Sequence, residues 1–279
     1  MKTRIFKDKN YKAIFNNGKT IRLALDPDKP IQELEYPEFY DVKITNYCEG
    51  NCPYCYQNST KLDSHFKDIL KKTQEYFGKM TENEKPFQVA IGGGNPNQHP
   101  DFIELLKLFV SLDIMPNYTT NGIGLTADVI TATKKYCGGV AVSCHPHLNT
   151  IWKKAVNRLR NQNIKVNLHI IISDKESIDR FVKIYTQFKQ RVEYFVLLPY
   201  STAGRAIKKD IDYEYLMEKI VVLKNIDKIA FGANFYPYLQ KDKKGVCLSL
   251  YEPEIMSKYL DMSNMKLYKS SFNLTTVKI

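Results

Sequence analysis

The sequence predicts an α/β fold: a partial (β/α)6 TIM-like barrel with an N-terminal β-hairpin and a C-terminal capping tail. Strand-like and helix-like segments alternate from residue 42 to about residue 223, giving six β-α units. The spacers between strands are long enough for helices, which implies a parallel sheet with right-handed crossovers, and six units suit a barrel or partial barrel better than an open Rossmann sheet. In the fifth strand Lys165, Asn167 and His169 alternate with Val166, Leu168 and Ile170. Where helices cover the outside, the apolar set faces them and the polar set faces the lumen. A polar lumen implies a bound ligand, and the active site of such a barrel lies at the C-terminal ends of its strands.

The chain opens with strands at 11–15 and 19–25 around Asn16-Asn17-Gly18, a turn that tolerates positive φ. Asp26-Pro27-Asp28 and Lys29-Pro30 then break regular structure before a first core strand at 42–47. Phe66, Ile69, Leu70 and Phe77 mark a helix, and 87–91 reads as a short buried strand ending in Gly92-Gly93-Gly94. Pro100 is placed to start a helix whose inner stripe is Phe102, Leu105, Leu106, Phe109 and Val110. Strands near 115–119, 139–143, 165–172 and 194–198 follow, separated by helices around 128–136, 150–160 and 177–188. After Leu223 the alternation fades into a strand-like run at 229–235 and a Tyr- and Lys-rich tail. Residues 1–40 are thus expected to form the hairpin and lead-in, 41–225 the barrel, and 226–279 the cap.

With 43% hydrophobic and 25% charged residues among 279, the composition is that of an ordered globular chain. The N-terminus lacks the apolar core of a signal peptide and no eighteen apolar residues run together, so a soluble, cytoplasmic protein is expected. In that compartment six cysteines read as free thiols or metal ligands rather than disulfides. The net charge of +11 favours an anionic partner, nucleic acid included, but the charge is diffuse. Its densest patch, Lys153, Lys154, Arg158, Arg160 and Lys165, adjoins an apolar stripe of Trp152, Ala155, Val156 and Leu159. That pattern reads as the solvated face of a helix.

The strongest chemical signal is Thr45-Asn46-Tyr47-Cys48-Glu49-Gly50-Asn51-Cys52-Pro53-Tyr54-Cys55-Tyr56. Gly50, Asn51 and Pro53 oppose a helix, so the loop can wrap three sulfurs round one object. Three thiolates at C-x3-C-x2-C spacing leave tetrahedral zinc one ligand short, whereas a cubane iron-sulfur cluster accepts a fourth ligand from another molecule. The odd count favours the cluster; zinc would need Cys144 or His145 as a fourth ligand.

This spacing, with Tyr54 before the last cysteine, resembles the signature of the radical S-adenosylmethionine (SAM) superfamily, and the resemblance runs over about residues 41–205. It implies that Cys48, Cys52 and Cys55 hold a 4Fe-4S cluster whose open iron binds SAM, with Tyr54 near the adenine. Gly93-Gly94-Asn95-Pro96 resembles the family's Gly-Gly-Glu-Pro motif, which holds the SAM amino group; Asn95 replaces the acid and loses its charge assistance. Thr119-Thr120-Asn121-Gly122 resembles the third-strand end. Ser143, Asn167 and His169 match positions near the SAM ribose and carboxylate, and Leu198 with Pro199 matches the wall behind the adenine. The resemblance further implies a 5′-deoxyadenosyl radical that takes a hydrogen atom from a substrate, and an external electron donor such as a flavodoxin or ferredoxin.

Relatives with a second cluster carry several closely spaced cysteines after the barrel. Here that region holds only Cys247, so no auxiliary cluster is expected, and Cys137, Cys144 and Cys247 read as buried free thiols. Cys144-His145-Pro146-His147 reads as a pocket-lining loop, with metal binding or hydrogen donation as the alternative. Gly204-Arg205-Ala206 resembles a turn of peptide-modifying relatives, in which Arg205 grips a carboxylate or phosphate, or caps a helix. Three functions follow: a radical SAM enzyme acting on a peptide or protein, the same chemistry on a nucleotide or nucleic acid, or a non-enzymatic iron-sulfur or zinc protein.

Overall fold

The structure, a computed structural model, describes residues 1–207, 209, 211–223, 226–232, 235, 253–272, 274, 276 and 277. Six strands, β4 (Phe39–Thr45), β5 (Gln88–Gly93), β6 (Met115–Thr120), β7 (Val140–Ser143), β8 (Val166–Ile172) and β9 (Phe195–Pro199), lie side by side in chain order, all parallel. Each leads to a helix: α1 (Ile69–Phe77), α2 (Phe102–Ser111), α3 (Ala127–Tyr136), α4 (Asn149–Asn161), α5 (Lys175–Phe188) and α6 (Tyr213–Val221). These are the six predicted units.

The apolar periodicities account for the packing. On α4, Trp152, Ala155, Val156 and Leu159 are buried as the stripe predicts, and Trp152 lies 5.3 Å from the Phe188 ring of α5. On β8, Val166, Leu168, Ile170 and Ile172 are buried while the residues between them are partly open. The basic patch finds partners inside the chain: Arg158 donates to the Leu125 carbonyl, Arg160 to Ile164 O at 3.1 Å, and Lys165 to Asn17 O at 3.3 Å. Pro100 sits in the turn ahead of α2, which begins at Phe102 after a 3-10 turn over Pro96–Gln98.

Two parts differ from expectation. The N-terminal hairpin, β2 (Tyr11–Asn16) and β3 (Lys19–Ala24), turns through Asn17 and Gly18 at φ 50° and 81°, but a further strand, β1 (Lys2–Phe6), pairs with β2 to make a three-stranded sheet. This sheet closes the N-terminal ends of the barrel strands: Phe15 stacks on Phe87 at 5.3 Å, just ahead of β5. Behind it Glu38, 1% exposed, accepts hydrogen bonds from Tyr11 Oη and Arg22 Nε, both at 2.6 Å. The C-terminal segment, expected as a strand-like run at 229–235 followed by a cap, contributes strands to the main sheet in its described part. There β10 (Ile229–Phe231) extends β9, and β11 (Ser257–Asp261) pairs in parallel with β4 and carries β12 (Lys266–Tyr268). Ser271 and Phe272 line the cavity.

Because Trp152 fills the α4–α5 junction with no room to collapse, Trp152→Ala should lower stability by about 3–5 kcal/mol, read from the urea midpoint at unchanged m-value.

Candidate active site at the C-terminal ends of the barrel strands

A cavity of about 690 Å³ opens at the C-terminal ends of the strands, and residues of β4 to β9 and β11 all line it. Cys48, Cys52 and Cys55 face it from the loop after β4. This loop has no regular structure, so its position depends on what it is docked against.

Two glycine turns hold it. At the end of β5, Gly93 has φ +110°, Gly94 N donates to Thr45 O at 2.8 Å, and Asn95 N donates to Tyr47 O at 2.9 Å. A Cβ on Gly94 would lie 2.1 Å from the Tyr47 carbonyl, a clash with backbone that cannot swing aside. From the segment after β9, Gly204 at φ +65° approaches just as closely: a Cβ there would lie 2.3 Å from Cys55 O. Arg205 follows, its backbone N donating to Cys55 O at 3.1 Å. Its guanidinium donates to Cys52 O at 3.3 and 3.0 Å and to Ser59 O at 2.9 Å. Arg205 therefore staples the cysteine loop, a use the sequence did not suggest.

The thiols are poised for a positively charged partner. Cys48 and Cys52 are buried and Cys55 half-buried. Gly50 N and Asn121 Nδ2 donate to Cys48 Sγ at 3.3 and 3.4 Å, the kind of bond that stabilises a thiolate bound to metal. Burial raises the Cys48 thiol and pushes Cys52 up to about 12, helped by the neighbouring cysteines; bound iron would reverse both shifts. Among the described residues no three His, Cys, Asp or Glu side chains gather round a single ion. A cluster asks for something else, three thiolates each meeting its own iron, and a loop presenting three sulfurs to one cavity fits that demand.

The other predicted residues divide. Tyr54, Gly93, Gly94, Asn121, Ser143, His169 and Leu198 line the cavity. Tyr54 Oη lies 3.2 Å from His145 Nδ1, and its ring meets Tyr200 at 6.2 Å. Asn95 and Pro96 do not line it. The Asn95 side chain is spent: Oδ1 accepts from Thr120 Oγ1 at 3.0 Å and Asn121 N at 3.3 Å, and Nδ2 donates to Gln98 Oε1 and Ile123 O at 3.0 and 2.8 Å. At 1% exposure it ties the ends of β5 and β6 together, with each atom of its amide already hydrogen-bonded within the chain. Asn167, one pleat nearer the barrel floor than His169, also lies outside the cavity lining.

Cys144 and His145 line the cavity, while His147 Nε2–H donates to Gly50 O at 2.9 Å, so the loop after β7 braces the cysteine loop. Burial raises the Cys144 and Cys137 thiols; Cys137 ends α3, away from the cavity. Cys247 lies outside the described residues. Sequence reading missed Asp41 and Lys43 on β4, Arg180 on α5, and the Asp174–Lys209 pair at 2.6 Å, all lining the cavity. For β4 the signal was present: Asp41, Lys43 and Thr45 alternate with Tyr40, Val42 and Ile44, the same pattern used for β8.

Replacing Arg205 with Ala or with Lys should each cut cluster affinity by on the order of 10-fold, because one ammonium cannot span the two carbonyls. Iron content per chain after reconstitution measures this; wild-type loading by the Lys variant would contradict it. His145 and His169 are each lowered to about 4, chiefly by burial, from an unfolded value near 6.5. Their contribution to stability is full above about pH 6.5 and is lost as pH falls toward 4, since only the unfolded chain takes up the proton readily. The denaturant midpoint of the cluster-free protein should drop over that window, and His169→Asn should make the drop shallower.

Residues 42–145 match the family model of the Radical SAM superfamily. Mycofactocin maturase MftC of Mycobacterium tuberculosis is 30% identical over 104 residues, 35% of this chain and 25% of its own length. PqqA peptide cyclase of Methylorubrum extorquens is 28% identical over 97 residues, 34% of this chain and 24% of its own. The chain thus spans about a quarter of the length of these curated relatives. Among solved structures, Streptococcus suis SuiB bound to S-adenosylmethionine superposes with a TM-score of 0.67 over 88% of this chain and 64% of its own, at 18% identity. The anSMEcpe structure with bound AdoMet and Cp18Cys peptide gives 0.60 over 85% and 75%, at 11% identity. At such identities these two show the fold alone. The match to the Radical SAM superfamily model, over residues 42–145, lies on the strands and cysteine loop just described.

Proposed function

We propose that the chain is a radical SAM enzyme that modifies a peptide or protein, with Cys48, Cys52 and Cys55 as ligands of a 4Fe-4S cluster and SAM on the open iron. The observation that carries this reading is the cysteine loop, fixed by Gly94, Gly204 and Arg205 with its three thiols toward one cavity. When bound, the cluster supplies the electron for reductive cleavage of SAM to a 5′-deoxyadenosyl radical, which takes a hydrogen atom from the substrate.

The protein's part is placement and exclusion of water. Asn121 and Gly50 steady the Cys48 sulfur. Tyr54, between His145 and Tyr200, offers a flat wall for the adenine, and Ser143, His169 and Leu198 face the same side of the lumen from β7, β8 and β9. With Asn95 spent, the backbone of Gly93 and Gly94 is left to meet the SAM amino group. We take residues 41–225 as the catalytic unit and residues 1–40 as the floor that seals its far end. A flavodoxin or ferredoxin would deliver the electron.

A peptide substrate is supported by the names of the relatives, a maturase and a peptide cyclase, and by SuiB and anSMEcpe, each solved with a peptide bound. The basic patch, which motivated a nucleic-acid substrate, is largely occupied within the chain. No helix among the described residues is long and apolar enough to cross a membrane.

Anaerobic reconstitution with iron and sulfide, reduction and addition of SAM should yield 5′-deoxyadenosine. Cys52→Ala should lose both the cluster and the product. A fully loaded, reduced protein that leaves SAM intact would contradict the proposal.

A further inference from the structure

Among the groups that line the cavity, Asp41 and Gln57 carry acceptors for which the described residues supply no donor. Asp41, midway along β4, is half-buried and lines the cavity. Among the described residues no side chain or backbone group bonds its carboxyl. Gln57 also lines the cavity; its Nε2 donates to Tyr56 Oη at 2.8 Å, but its Oε1 is buried without a hydrogen-bond partner among the described residues. Of the other cavity charges, Lys43 lies 3.4 Å from Asp261 and Lys209 2.6 Å from Asp174, while Arg180 lies 3.8 Å from Glu176 with its Nε buried and without a hydrogen-bond partner among the described residues.

The surroundings of Asp41 are aromatic. Tyr259 of β11 is its register partner, so the two side chains rise from the same face of the sheet. Tyr56 stacks on Phe272 at 4.5 Å, and all three rings line the cavity. From β5, the register partner is Ala90, which has no charge to offer. Lys258 sits on the other face of β11, bonded to Glu33 at 2.5 Å. A carboxylate and a bare amide oxygen within an aromatic wall make a site that lacks only a cation bearing several N–H donors.

Building on the peptide-modifying reading, we infer that Asp41, Gln57, Tyr56, Tyr259 and Phe272 form a substrate subsite for a basic side chain, a lysine ammonium or arginine guanidinium of the peptide. The cation neutralises Asp41, its spare N–H reaches Gln57 Oε1, and the rings cover its hydrocarbon stem. Burial holds the empty Asp41 carboxyl up to about 7, so a bound cation must draw a proton off it, and binding should strengthen as pH rises from 6 to 8. Lys43, two residues along β4 on the same face, is paired with Asp261 of β11. The Tyr56 and Tyr259 phenols are raised above their ordinary range by burial, and Ala90 and Gln57 carry no charge.

The test is calorimetric titration of the reconstituted protein with Nα-acetyl-lysine methylamide, and with the norleucine analogue as the uncharged control. The lysine probe should bind at least about tenfold more tightly than norleucine, more tightly at pH 8 than at pH 6, and equally well with SAM present. Asp41→Asn should erase the preference. Equal binding of the two probes to the wild type overturns the inference whether or not the variant folds, and displacement of the lysine probe by SAM reassigns Asp41 to SAM and overturns it too. The isotherm needs no turnover, so a protein that binds lysine but makes no deoxyadenosine counts against the radical reading alone.

Discussion

The site depends on backbone meeting backbone. A loop that is neither helix nor strand must present three sulfurs to one object, and it is held where Gly94 and Gly204 let neighbouring segments approach its carbonyls too closely for any Cβ. Gly94 N and Asn95 N satisfy carbonyls at the root of the loop, and Arg205 satisfies three more in its middle and beyond. Carbonyls that would otherwise be stranded beside a cavity are thereby paired, at positions set by β5 and by the segment after β9. The loop inherits the rigidity of the barrel.

The barrel in turn is asymmetric by construction. Its C-terminal end carries the cavity and nearly all the chemistry-bearing side chains, while its N-terminal end is stoppered by the three-stranded sheet, with Phe15 on Phe87 and the Tyr11–Glu38–Arg22 network behind it. One closed end limits water, which matters for a reactive radical. With β11 paired to β4, the cavity has a wall of Ser143, His169 and Leu198 from β7, β8 and β9 and another of Asp41 and Tyr259 from β4 and β11. Two walls of different chemistry suit a cofactor and a substrate held side by side.

Much of this was legible in the sequence because it rests on period and punctuation. The six β-α units, the α4 stripe, the polar face of β8 and the Asn17-Gly18 turn each follow from local pattern, and the three cysteines from spacing. What escaped was what depends on distant partners. Asn95 looks like a ligand because it stands where the related motif has an acid; only the fold reveals that β6 consumes its amide. Arg205 looks like an anion clamp because a guanidinium is one, and only the fold puts the Cys52 and Ser59 carbonyls within its reach. The strands β1, β11 and β12 were missed because runs this short carry little periodic signal. Asp41 was legible and overlooked, since β4 alternates as plainly as β8 does.

The central claim is that three cysteines hold a cluster with one iron left open for SAM. Electron paramagnetic resonance of the reconstituted, reduced protein tests it most directly. The account predicts a 4Fe-4S signal whose g values shift when SAM is added, because a new ligand arrives at the open iron. A signal indifferent to saturating SAM, or a protein that takes up zinc in place of a cluster, would contradict it.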